Sequence, residues 1–192
     1  TGIDTNWLDY VLRTGAITNN QFSFSAGGDS SKLYFSVGNI SQEGIIKQDK
    51  FDISRVRLNV EQKISNKIRV GVNSYFSYRS SVPIVDDNNT YQPYSNAMNA
   101  APNLAPYGAD GKPNKNLTSN NPLWAFERVV TDRYQTIGSN FYAVYNPIKD
   151  LTLKTSISGN IMSRRYNRFD APDTRRGEQA GKPWGYGYYS TN

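Results

Sequence analysis

The 192-residue chain carries 22 Lys and Arg against 16 Asp and Glu, a net charge of +6, and contains neither His nor Cys. That removes disulfides, Cys- or His-based metal sites, thiol nucleophiles and any Ser-His-Asp triad; no catalytic residue, metal site or cofactor is assigned, and the chain is not read as an enzyme. No basic cluster interleaved with stacking aromatics repeats as in nucleic-acid modules, and no run of 18 apolar residues exists to form a spanning helix.

No charged-then-apolar leader precedes the abrupt start at Thr1, and with the equally abrupt stop at Asn192 the expectation is a piece of a longer protein. What stands out is 14 Tyr, 8 Phe, 3 Trp and 15 Gly, a composition of strands and turns. The mean hydropathy of −0.66 is compatible with a membrane barrel, whose lipid-facing and lumen-facing residues alternate and average out.

In chain order, Asn6 to Arg13 is a short helical lead-in ended by Thr14-Gly15. Phe22, Phe24 and Ala26 alternate with polar residues, run through Gly27-Gly28-Asp29-Ser30-Ser31, and continue as Leu33, Phe35 and Val37, a hairpin pattern. Over 53–64, Val56, Leu58, Val60 and Ile64 share one parity and Arg55, Arg57, Asn59, Glu61 and Lys63 the other. After Ser65-Asn66-Lys67, where Asn tolerates the left-handed conformation tight hairpins often need, 68–79 repeats the pattern. There Ile68, Val70, Val72, Phe76 and Tyr78 oppose Arg69, Gly71, Asn73, Tyr75, Ser77 and Arg79. A third hairpin joins 135–146 to 151–164 through Pro147-Ile148-Lys149-Asp150.

The links between hairpins differ from the turns within them. One covers 42–50, and another, from about Ser80 to Arg133, far exceeds the ~12–15 residues beyond which loops are usually functional or disordered. In the latter, Asn121-Pro122 before Leu123–Val129 predicts a capped short surface helix. Alternating short turns and long links are the periplasmic and extracellular connections of an outer-membrane barrel. The expected division is a lead-in over 1–19, four strands over 20–79, a long extracellular loop over 80–133, a hairpin over 134–169 and the start of a further loop over 170–192.

Alternation alone does not separate lipid from a protein core, so a soluble sugar-binding β-sandwich and a passive porin or surface adhesin stand as alternatives. Strands of roughly 12 residues favour the membrane, since ~9–11 cross a bilayer at a tilt. Aromatics at strand ends, among them Phe76, Tyr78, Tyr166 and Phe169, fit an interfacial girdle.

Several stretches resemble the SusC/RagA family of TonB-linked outer-membrane proteins. Asp4-Thr5-Asn6-Trp7-Leu8-Asp9 with Arg13-Thr14-Gly15 is similar to the family's Trp-containing lead-in, and Phe22 to Gly28 to its strand ending in paired Gly. Tyr34-Phe35-Ser36-Val37-Gly38 through Gln42-Glu43-Gly44-Ile45, then Arg57-Leu58-Asn59, follow the same order, and Asn121-Pro122-Leu123 and Leu151 to Ser156 continue it. The resemblance implies an all-β fold, an antiparallel transmembrane β-barrel segment of about six strands in three hairpins. It further implies an outer-membrane address in Bacteroidetes-like bacteria and import of a glycan or peptide nutrient driven by the TonB complex. A SusD-like lipoprotein lid is the implied partner; the plug domain is absent from this stretch.

On that reading Arg55, Arg57, Glu61, Arg69, Asn73, Tyr75 and Arg79 face the lumen, where such charges also pair across the wall. Tyr91, Tyr94, Tyr107 and Trp124 of the long loop are the candidates for contact with ligand or partner. Asp86-Asp87-Asn88-Asn89 lacks the spacing and closing Glu of a Ca²⁺ loop and reads as a solvated turn. The Asn-x-Ser/Thr matches at Asn39, Asn88 and Asn116 are those an Asn-rich chain produces by chance.

Overall fold

The computed structural model describes residues 2–84, 92–115 and 120–192; Tyr91, the Asp86–Asn89 turn and Asn116 lie outside them. Seven strands form one antiparallel sheet in chain order. They are β1 (Ala16–Gly27), β2 (Ser31–Glu43), β3 (Lys50–Lys63), β4 (Ile68–Val82), β5 (Val129–Ile148), β6 (Leu151–Asp170) and β7 (Tyr186–Thr191). Among the described residues the sheet is not closed, and β1 and β7 are its edges.

Register turns the separate alternations into continuous rows. Phe22 pairs with Val37, Val37 with Val56, Val56 with Phe76, Phe76 with Ile137 and Ile137 with Ile161. Two steps along, Ala26, Leu33, Val60, Val72, Phe141 and Ile157 make a parallel row. The opposite face carries Gly27, Lys32, Glu61, Gly71, Tyr142 and Ser156 in one row. A one-residue slip anywhere would move an apolar set to the wrong face, so these patterns hold the register.

Nothing among the described residues covers the apolar face. Ile157 and Ile161 are 73% and 74% exposed, although burying such a side chain is worth roughly 1.5–3 kcal/mol. A β-sandwich would set a second sheet about 10 Å away, and among the described residues every strand lies in the same one. On β4 the band runs from Ile68 to Tyr78; at roughly 3.3 Å per residue and a tilt of roughly 45°, that is about 23 Å across, near the ~25 Å apolar band of a membrane barrel. Inside the band the serines of the paired positions Ser74 and Ser139 hydrogen-bond each other at 2.8 Å, which spares each hydroxyl the cost of an apolar setting without a partner.

The turns depart from expectation in detail. The Ser65 hydroxyl, accepting from Lys67 N and Ile68 N at 3.2 Å each, holds the β3–β4 turn, and Asn66 is not left-handed: Gln48 is the non-Gly residue with positive φ among the described residues. Strand β5 runs on through Pro147 to Ile148, with a register shift between Tyr145 and Ile148, because Pro has no N–H for the ladder and is accommodated at a bulge. Strand β7 occupies 186–191, inside the stretch expected to begin a further loop.

The long connections gather at one end of the sheet and fold there. Helix α1 (Trp7–Val11) from the lead-in packs on α2 (Pro93–Asn99) and on a 3₁₀ turn, Pro122–Glu127, with Trp7, Val11, Ala97 and Leu123 as the core. The expected surface helix is therefore a mostly buried 3₁₀ turn. Asn121 caps it as its sequence predicts, accepting from Leu123 N at 3.0 Å, and its amide also donates to Pro106 O and Asn114 O. Thr5 N and Trp7 Nε1 donate to the carbonyls of Pro102 and Ala101 at 2.7 and 2.9 Å, so the lead-in is strapped to the β4–β5 link. Arg13 ties it to the β2–β3 link by donating to Gly44 O, Glu43 and Asp49 O.

Candidate functional site

The polar face is where ligand-competent side chains converge. All seven expected polar-parity positions, Arg55, Arg57, Glu61, Arg69, Asn73, Tyr75 and Arg79, lie on the face opposite the apolar rows, by register. Near the short-turn end, Glu61 is the hub: Lys32 and Arg69 approach it at 3.7 Å each, and the Tyr142 hydroxyl donates to it at 2.9 Å.

Further along, the face recedes into a hollow of about 480 Å³ whose walls include Gln21, Ser36, Arg55, Arg57, Tyr75 and Ser77. It opens because Gly38 sits among residues that would otherwise project side chains there, while Tyr75 leans over Gly138. Polar donors and acceptors share its lining with apolar side chains, Ile40 and Ile53 among them.

Toward the folded end the wall becomes a stack of rings and guanidinium groups. The paired residues Arg79 and Tyr134 stack, with the guanidinium carbon 3.7 Å from the ring centroid, and Arg164 approaches the same ring at 5.0 Å. Arg164 also donates through both Nε and Nη2 to the Asp132 carboxylate, at 3.0 Å each, the two-pronged geometry that makes such pairs strong and directional. Tyr166 meets Tyr188 edge-on at 5.9 Å. At the rim, buried Asp170 gathers Arg168 at 2.9 Å, Arg176 at 3.8 Å and Arg128 at 4.0 Å. One carboxylate thereby joins β6, helix α3 (Arg175–Ala180) and the end of the β4–β5 link.

The loop aromatics do not form one cluster. Tyr94 is exposed on α2; Tyr107 is exposed and meets Tyr10 edge-on at 6.1 Å. Trp124 is 5% exposed, with the Arg175 guanidinium 5.1 Å from its ring. Beside it, burial pushes the Glu127 carboxyl above its ordinary range, while the Arg175 backbone N–H, donating to it at 2.9 Å, opposes that shift. Sequence reading missed Asp132, Tyr134, Arg164, Asp170 and Tyr188. The first two continue the alternation of β5, and extending its period beyond 135 would have found them.

No family model matches the chain. Along 98% of its length it is 28% identical to TonB-dependent receptor P3 of Formosa agariphila, and along 86% it is 26% identical to TonB-dependent receptor P26 of the same organism. It spans 20% and 17% of those two proteins. Among solved structures, the RagAB peptide importer in its open-open state superposes with a TM-score of 0.74 at 22% identity, over 91% of this chain and 20% of that one. The closed-closed state covers 99% of this chain and 22% of that one, with a TM-score of 0.71 at 20% identity. The likeness to TonB-linked receptors read from the motifs is thus found over nearly the whole chain, and the fold is that of a segment of barrel wall.

Proposed function

We propose that this chain is a stretch of the wall of a TonB-dependent outer-membrane importer, with the apolar rows toward lipid and the polar face toward the lumen. The observation that carries the reading is the uncovered apolar face, aligned across six strands and backed by a face of matched charges and Tyr. Water leaves such a band as an aggregation surface; hydrocarbon solvates it, and every backbone group is satisfied once neighbouring strands close the edges at β1 and β7. The wall is scaffold and lining, and the function is transport, not catalysis.

The short turns then face the periplasm and the folded end faces outward, as in barrels of this kind. A SusD-like lipoprotein on the outer side and the TonB complex on the inner side, acting through the plug, are the partners of this reading. The exposed Tyr94 and Tyr107 of the folded end supply contact area for the lid. Peptides are the favoured cargo class, on the likeness to the RagAB peptide importer.

Disrupting the gene of the full-length protein in its own bacterium, then supplying peptide or oligosaccharide pools as the sole nitrogen or carbon source, tests the function. The expected result is a growth defect on one pool, reproduced by removing TonB. Normal growth on every pool in both strains would overturn the importer reading.

A further inference from the structure

The acidic side chains of the polar face are already matched to cations. Glu61 serves Lys32 and Arg69, Asp132 serves Arg164, and Asp170 serves three arginines of the rim. Arg79 has no acidic partner among the described residues, and its Nε is enclosed without a hydrogen bond. Its interaction there is the stack on Tyr134. A guanidinium lying on a ring keeps its N–H groups in its own plane, at the rim of the stack, so the ring fixes its orientation without using its donors.

Arg55 reinforces it. Ile53 pairs with Arg79 and Arg55 with Ser77, which makes Arg55 and Arg79 diagonal neighbours on one face, at a separation long side chains bridge. Arg55 also lines the hollow, so open space lies beside the diagonal neighbour of Arg79. In the same wall, Arg164 and Asp132 show what an arginine held by Tyr134 does with a carboxylate: two parallel bonds of 3.0 Å.

We propose that Arg79, with Arg55 beside it, is a receiving site for a carboxylate of the imported molecule. This deepens the importer reading and rests on the polar face being the lumen. A ligand carboxylate would complete the missing acid of the stack through the Arg79 Nη groups, its Nε being enclosed, and the hollow beside Arg55 would take the rest of the molecule.

The test uses the purified full-length transporter in detergent, treated with phenylglyoxal and mapped by mass spectrometry. Glutarate is the carboxylate probe and glutaramide its neutral match. The expected result is that Arg79 and Arg55 are modified in buffer and glutarate slows both several-fold, while glutaramide does not; Arg133, on the opposite face, reacts alike in all three. Equal rates with and without glutarate, or equal slowing by both compounds, would overturn the proposal. Resistance of Arg79 in every condition would overturn it too, by showing the site filled by the rest of the barrel. The measurement needs no transport, so its failure leaves the growth test of the importer reading intact, and failure of that growth test is read separately.

Discussion

Gly71 and Tyr142 pair directly across β4 and β5, and the tyrosine ring lies over the glycine in the space a Cβ would occupy. Four residues along, the arrangement is reversed: Gly138 of β5 lies under the ring of Tyr75 from β4. The two exchanges lock one register between these strands, since a shift would set each ring against a side chain instead of a glycine. Tyr142 then reaches Glu61 at 2.9 Å, so the glycine also positions the charged hub of the polar face.

Replacing Gly71 or Gly138 with Ala in the full-length protein should therefore cost about 1–3 kcal/mol, the usual penalty for overfilling a packed site. Gly159, where a Cβ would meet nothing within 4 Å, should accept Ala within about 0.5 kcal/mol. Urea titration of folding into lipid vesicles measures all three, and equal tolerance would show that the rings move aside freely.

The folded end makes a different prediction. Trp7 is buried with Val11, Ala97 and Leu123, so Trp7→Ala should cost about 3–5 kcal/mol of that unit's stability while leaving the sheet intact. Limited proteolysis should show faster cleavage between 92 and 115, with the strands still protected. Unchanged cleavage would separate the lead-in from the link. By the same packing, deleting the link would not be a silent trim of a surface loop: it would uncover Trp7 and Val11.

Glu127 gives a pH dependence. Burial raises its pKa in the fold, so its contribution to stability is full below the ordinary carboxylate range and is lost as pH rises through the raised value. Glu127→Gln keeps an acceptor for the Arg175 N–H and removes the charge. The variant should gain on the wild type in thermal midpoint as pH rises from about 4 to 7. A constant difference across that range would remove the burial argument.

Sidedness follows from where the connections lie. Cysteine placed at Asn66, in the short β3–β4 turn, should be shielded in intact cells from a membrane-impermeant thiol reagent, and cysteine at the exposed Ala109 of the long link should react. Labelling of the Asn66 position alone would invert the orientation.

The alternating rows were legible from the sequence because period two is local: Val56, Leu58 and Val60 declare their face without knowing their neighbours. The polar-face parity of Arg55 through Arg79 came from the same signal. What the sequence concealed depends on register or on distant packing. That Gly71 lies opposite Tyr142, and that Arg79 stacks on Tyr134, requires pairing β4 with β5 across a link of more than forty residues. Trp124 read as a surface ring because its local window is a loop, whereas it is buried, with Arg175 of the distant helix α3 over its ring. Strand β7 carries Gly between its Tyr residues and is short, so it lacks the run that identifies the others.

The central claim is that the two faces meet different solvents. Val72→Arg and Asn73→Arg place the same charge on adjacent residues of β4, one on each face, in the full-length protein folded into lipid vesicles. Denaturant titration should show a loss of roughly 2–4 kcal/mol for Val72→Arg and under about 1 kcal/mol for Asn73→Arg, the contrast between a lipid-facing and a lumen-facing position near mid-membrane. Equal losses at the two positions would contradict the account.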